Sequence, residues 1–193
     1  MHPVNPDHEP FHRDAGSLES GLADVRLSPA DAGPLELIVT RPVLGERALH
    51  DEAEVDLVLG IAGDTWIERG SRRTPDGSAN PEAQVTVMNI RAARLVAGTE
   101  DRVPLAGDQL YVDLDLSTDN LPTGTLLEIG GAALRVTDAP HTGCAKFSER
   151  FGVDALRATA TPDGKLLRLR GINTAVVRQG VVRRGDTVRV VRP

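Results

Sequence analysis

The chain carries a single cysteine, Cys144, in a segment that reads HTGCAKFSERFG. A cysteine thiolate is a strong nucleophile and a ligand for soft metals, and the first turn of a helix, whose amides lack carbonyl partners, favours negative charge. The apolar spacing from Ala145 predicts a short helix through Phe151, with Phe147 and Phe151 on one face. Thr142 could cap that helix, Gly143 would let the backbone approach a ligand without a Cβ in the way, and Cys144 would aim its sulfur at the first-turn amides. His141 is the candidate to exchange a proton, and Lys146 the candidate to add positive charge. A lone cysteine is often only a small buried apolar residue, and a lone histidine a satisfied core group, so these residues need a setting.

Arginines offer one. Arg168 and Arg170 alternate with Leu167 and Leu169, which predicts that they share one face of a strand before a turn at Gly171. Arg178, Arg183 and Arg184 follow near turns. Guanidinium groups hold an anionic cofactor in fixed directions, where a lysine supplies a point charge; a solvated arginine face is the bland alternative for each one. Asn120, in the polar turn DNLPT, could offer its amide to a ligand or close an Asx turn. Asp108 and Asp186 sit in two Gly-Asp turns and are expected to shape strand entries rather than act as a catalytic pair.

The elements that must position these groups point to one cored domain of 193 residues. Acids outnumber Lys and Arg 28 to 22, for a formal net charge of −6, which argues against an indiscriminate nucleic-acid binder. No apolar run approaches the roughly 20 residues that span a bilayer, and the N-terminus lacks the order of a secretory signal, so no membrane association is expected. One cysteine forms no intrachain disulfide, and the expected location is the cytoplasm. One thiol and scattered histidines also make a four-ligand structural zinc site a poor expectation.

Residues 1–33 hold three of the five histidines and no sustained periodicity, which predicts a flexible or peripheral arm in which SLESGLADVRL packs as a helix or an edge element. Residues 34–193 then form the domain. LELIVTRP, AEVDLVLGIAGDTW, QVTVMNI, LAGDQLYVDLDL, TGTLLEIGGAALRVTD and RRGDTVRVV read as strands, IRAARLVAG as a helix stopped near Gly98, and TPDGK as a turn. So many short strands need a second surface over their apolar sides, and a closed or nearly closed barrel supplies it. The fold class is therefore mainly β, with a few peripheral helices.

The ordered pieces GERAL, GDTWIERG, QVTVMNI, GDQLYVDLDLSTDNLPTGTLLEIG, APHTGCAKFSERFG, LRLRGINTAVV and VVRRGDTVRV, spread from about Leu35 to Val191, resemble the MOSC domain family, the domain also found at the C-terminus of molybdenum-cofactor sulfurases. The resemblance implies a strongly bent β-barrel. It also implies that Cys144 ligates molybdenum in a pterin cofactor or carries sulfur, with the arginines of LRLRG and VVRR among the basic surroundings of that cofactor. Two activities follow from it: reduction of small N-hydroxylated substrates with an external electron donor, or sulfur carriage and cofactor delivery with a sulfurtransferase partner. A noncatalytic binding domain is the third reading. The chain shows no pyridoxal-phosphate domain and no cysteine-rich module for an intrinsic iron–sulfur cluster. Thr118 to Leu121 read Thr-Asp-Asn-Leu where several reductase-like members carry Gly-Glu-Asn-Leu.

Overall fold

Strands here are short, and their burial shows why they must close on themselves. In Leu126–Ile129 the second and fourth residues are buried and the others half-exposed, and in Val85–Asn89 every residue is buried. A sheet with a one-sided apolar face can cover it by curling. The computed structural model describes residues 2–3 and 11–192. In chain order its elements are β1 (His2–Pro3), α1 (Ala15–Val25), β2 (Ala32–Thr40), β3 (Ala48–His50), β4 (Glu52–Asp56), β5 (Gly60–Ile61), α2 (Trp66–Arg69), β6 (Val85–Asn89) and α3 (Ile90–Ala97). There follow β7 (Leu110–Val112), β8 (Leu126–Ile129), β9 (Ala132–Val136), α4 (Ala145–Ala160), α5 (Pro162–Leu166), β10 (Ile172–Arg178), β11 (Gly180–Arg183) and β12 (Thr187–Val191).

Neighbouring strands run β2-β12-β8-β9-β10-β6-β7, and β7 returns to β2, so the sheet closes into a barrel with β3 and β1 as a flange. Closure depends on β2. Its first residues pair with β12, its middle with β7 and its last with β3, through a register shift between Leu35 and Leu37. A second shift, between Val176 and Arg178, bends β10 against β9. The β6–β7 pairing is parallel and the other pairings are antiparallel. A smaller sheet, β11-β4-β5, lies beside the barrel.

Two apolar clusters result. One fills the barrel, with Leu35, Ile38, Val87, Leu127 and Leu134 among its members. The other lies between the outer wall and helices α1, α3 and α4, where Leu18, Met88, Ile90, Tyr111 and Phe151 meet. The mainly-β barrel with peripheral helices is thus the fold the chain adopts.

Some elements resolve what was left open, and others depart from expectation. The segment left open as helix or edge element is α1, capped by Asp14 and packed through Leu18, Leu22 and Val25, while the expected boundary at residue 33 falls inside β2. Residues 1 and 4–10 of the expected arm lie outside the described residues. TPDGK is the helix α5, because Thr161 accepts from the Gly164 amide and Pro162 stands where a first-turn amide has no partner. Arg168 and Arg170 do not share a strand face: β10 begins at Ile172, and both arginines lie in the turn before it. That turn ends at Gly171, where φ is 90° and a Cβ would sit 2.5 Å from the Val87 carbonyl oxygen.

Candidate functional site

Cys144 occupies the residue before the first turn of α4, in extended conformation (φ −121°, ψ 176°). Its carbonyl accepts from the amides of Phe147 and Ser148, and its side chain makes no capping bond, so the exposed thiol is uncommitted. Thr142 therefore does not cap the helix; Cys144 stands in that position. The face of α4 behind the thiol is fixed by Phe147 and Phe151, both buried with ring centroids 5.0 Å apart, and Gly152 (φ 90°) kinks the helix immediately after. The approach to the cysteine is tethered too. Arg73 donates to the Pro140 carbonyl and Asn173 to that of Ala139. Gly143 passes so close to α4 that a Cβ would meet Leu156 Cδ1 at 2.4 Å, which makes its smallness a matter of packing against the helix.

Cys144 opens into a cavity of about 170 Å³ lined by six cationic side chains, Arg41, Arg47, Arg69, Lys146, Arg150 and Arg170. Two are matched by acids. Arg41 grips the fully buried Asp64 through two nitrogens at 2.7 and 2.8 Å, and Arg170 pairs with the fully buried Asp108 while its guanidinium carbon lies 5.2 Å from the Phe147 ring centre. The remaining four, Arg47, Arg69, Lys146 and Arg150, have no carboxylate partner among the described residues. Arg47 spends one nitrogen on the Glu46 carbonyl and leaves Nε buried without a partner. Burial, with Arg150 and Arg41 close by, pushes the Arg47 guanidinium down to about 10, and burial with Arg41 lowers that of Arg69. A fold tolerates such repulsion where an anion completes the arrangement.

At the wall that Arg170 lends to this cavity, three groups meet: the buried Asp108 and the half-buried Arg170 and His141. Burial pushes the Asp108 carboxyl up, against the pull of Arg170. His141 Nδ1 lies 3.5 Å from Asp108 Oδ1, and neither atom has a hydrogen-bond partner. Burial, with Arg170, Arg41 and Arg73 nearby, holds His141 well below the ordinary imidazole value, so the ring is neutral at physiological pH.

The other expected site residues divide. Arg168 donates to the Leu116 and Leu121 carbonyls and, with His141, Thr142, Gly143 and Arg170, lines a second cavity of about 600 Å³ that does not contain Cys144. Asn120 donates to the carbonyls of Ala30 and Asp115 and accepts from Arg192, away from both cavities. Arg178 pairs with Glu128, Arg183 with Glu52 and Arg184 with Asp51, all on the outer surface of the β-sheets. Sequence reasoning missed Arg41, Arg47, Arg69 and Arg150, whose gathering needs the closed barrel, and gave Asp108 a merely local role. Among the described residues no group of three or more His, Cys, Asp or Glu side chains is placed to hold a metal ion, and no helix is long and apolar enough to cross a membrane.

The family model described as the MOSC domain matches residues 76–189, which include Cys144, Asp108 and Arg170. The chain belongs to the MOSC domain family. Solved structures agree with this MOSC barrel in fold. The YuaD protein from Bacillus subtilis is similar at 19% identity with a TM-score of 0.64, over 82% of this chain and 95% of that one. YiiM from Escherichia coli is similar at 17% identity with a TM-score of 0.55, over 84% and 70%. YiiM from Geobacillus stearothermophilus is similar at 15% identity with a TM-score of 0.51, over 84% and 74%. Comparison with curated proteins gives no match.

Proposed function

We propose that this MOSC domain binds a molybdenum–pterin cofactor in the cavity beside Cys144 and, supplied with electrons by an external donor, reduces small N-hydroxylated substrates. The observation that carries the reading is the cluster of four cations with no acid partner among the described residues around an exposed, uncommitted thiol. The donor set fits the group: a single thiolate suits a soft metal whose other ligands arrive with its cofactor, and guanidinium forks suit a phosphate. Cys144 would hold the metal, and Arg47, Arg69, Lys146 and Arg150 the anionic end of the pterin. The bound metal would supply the two-electron redox chemistry.

The chain's own residues would do the rest. Reducing an N–OH group to N–H and water takes up two electrons and two protons, and the neutral His141 ring is a group that can pass a proton on at a ring nitrogen. Arg170, bridging Asp108 and the Phe147 ring, would hold the cavity wall rigid as charge changes beside it.

Anaerobic purification from cells that make the cofactor tests this, with metal analysis and pterin fluorescence after oxidation. Wild type is expected to carry molybdenum and pterin together, and Cys144→Ala to lose the metal at least about tenfold while folding normally. Wild type that acquires neither overturns the reading. The exposure of Cys144 also favours a second one, a persulfide carried to or from a sulfurtransferase partner. Intact mass showing one added sulfur atom on wild type, absent in Cys144→Ala, supports that alternative.

A further inference from the structure

The larger cavity is lined by His141 to Gly143, the residues that precede the thiol, and its walls combine apolar Leu156, Ile172 and Pro140 with the cations Lys165, Arg168 and Arg170. Its volume of about 600 Å³ suits a small organic molecule. Arg168 is its distinguishing residue. At φ 47° it is the one non-glycine residue with left-handed backbone among the described residues, a conformation that costs on the order of a kilocalorie and persists where the surroundings demand it. The turn holds it there through the Arg168 amide, which donates to the Lys165 carbonyl, and the Gly171 amide, which donates back to the Arg168 carbonyl. The half-buried guanidinium that results touches two carbonyls and, among the described residues, no carboxylate. Arg170 adds a buried Nε without a partner, and His141 a buried Nδ1 likewise. Arg157 at the edge is matched by Asp154, and Asp138, the one acid on the wall among the described residues, is exposed.

We infer that this second cavity binds a small organic carboxylate, its charged end on Arg168 and Arg170 and its apolar body against Leu156 and Ile172. The planar guanidinium forks match a carboxylate, and the mixed wall suits an occupant that also has an apolar body. Arg170 borders both cavities, so an occupant here sits against the wall of the thiol site. The inference does not rest on the cofactor reading, and its test uses no cofactor.

The full-length protein is titrated with 4-fluorobenzoate, and with 4-fluorobenzyl alcohol as the neutral comparator, followed by fluorine NMR. Saturable binding of the carboxylate is expected, with the alcohol and the Arg168→Gly variant both weaker by about fivefold or more; glycine accepts the left-handed backbone, so it removes the charge without adding strain. Ala160→Trp, at the exposed last residue of α4 on the cavity wall, is expected to obstruct binding, and serves should Arg168→Gly fail to fold. Arg47→Met, in the thiol cavity, is expected to leave it unchanged. Absence of saturable binding overturns the inference. So does loss of binding in Arg47→Met as large as in Arg168→Gly, or retention of full affinity in both cavity variants.

Discussion

Two sets of arginines on this molecule obey different rules. On the outer surface, Arg178, Arg183 and Arg192 each meet an acid at 2.7 to 3.1 Å, and all are exposed. Around Cys144, Arg41 is buried and Arg47, Arg150 and Arg170 are half-buried, and Arg47 and Arg150 meet no acid among the described residues. Exposed pairs are nearly neutral for stability, so the first set is dispensable decoration of a solvated barrel. In the second set the cations without an acid repel one another, the arrangement expected where an anion is to be held. Charge that is locally compensated belongs to the scaffold; charge left uncompensated and half-buried marks the site.

The largest test of this contrast is the one buried pair that links both cavities. Arg170→Met leaves Asp108 buried and unmatched, and is expected to cost about 3–5 kcal/mol in urea unfolding, against a fraction of that for any surface pair. Arg47→Met goes the other way. The Arg47 guanidinium ionises more easily unfolded than folded, so its charge disfavours the fold at every pH below about 10, and that penalty fades only as pH rises from there towards 12.5. Removing it is expected to stabilise the cofactor-free protein by about 1 kcal/mol at pH 7, while abolishing most of the melting-temperature gain that phosphate gives the wild type. If Arg47→Met destabilises instead, the site is compensated in solution and the contrast fails.

His141 supplies a smaller effect, confined to acid pH. Its ring is held neutral in the fold, so its contribution to stability is complete above about 6.5 and is lost as pH falls below that value, where the unfolded chain takes up the proton. His141→Gln is expected to flatten the decline in melting temperature between about pH 6.5 and 5. The smallest effect is reserved for the outer surface: Arg183→Ala is expected to change stability by less than about 0.5 kcal/mol and to leave metal and pterin content untouched.

Much of the scaffold was legible because its signals are local. Alternation in TGTLLEIGGAALRVTD marks β8 and β9, and Gly98 stops α3 as read. Where a reading by alternation failed, contacts outside that pattern had decided the matter. Leu167 to Arg170 look like alternating strand, yet Gly164 and Asp163 carbonyls capture the amides of Leu169 and Leu167 and wind the chain into a turn. Asp108 looks like any Gly-Asp turn until Arg170 arrives from 62 residues further along the chain. The cations of the thiol cavity come from four separate stretches, around Arg41, Arg69, Arg150 and Arg170, and no periodicity joins them. Arg178 and Arg183 illustrate the converse: a basic run in sequence, dispersed onto a surface sheet and paired off.

The pairing of β2 with β12 has a kinetic side. Pro34 faces Thr187 and Ala32 faces Arg189, so the ring cannot be sealed until nearly all of the described chain is present. Until then β2 and β8 each expose an unpaired edge, and the contacts that close the structure are the most distant in sequence it makes. Such a chain is expected to fold slowly for its size and to be most prone to aggregation while it is still being synthesised.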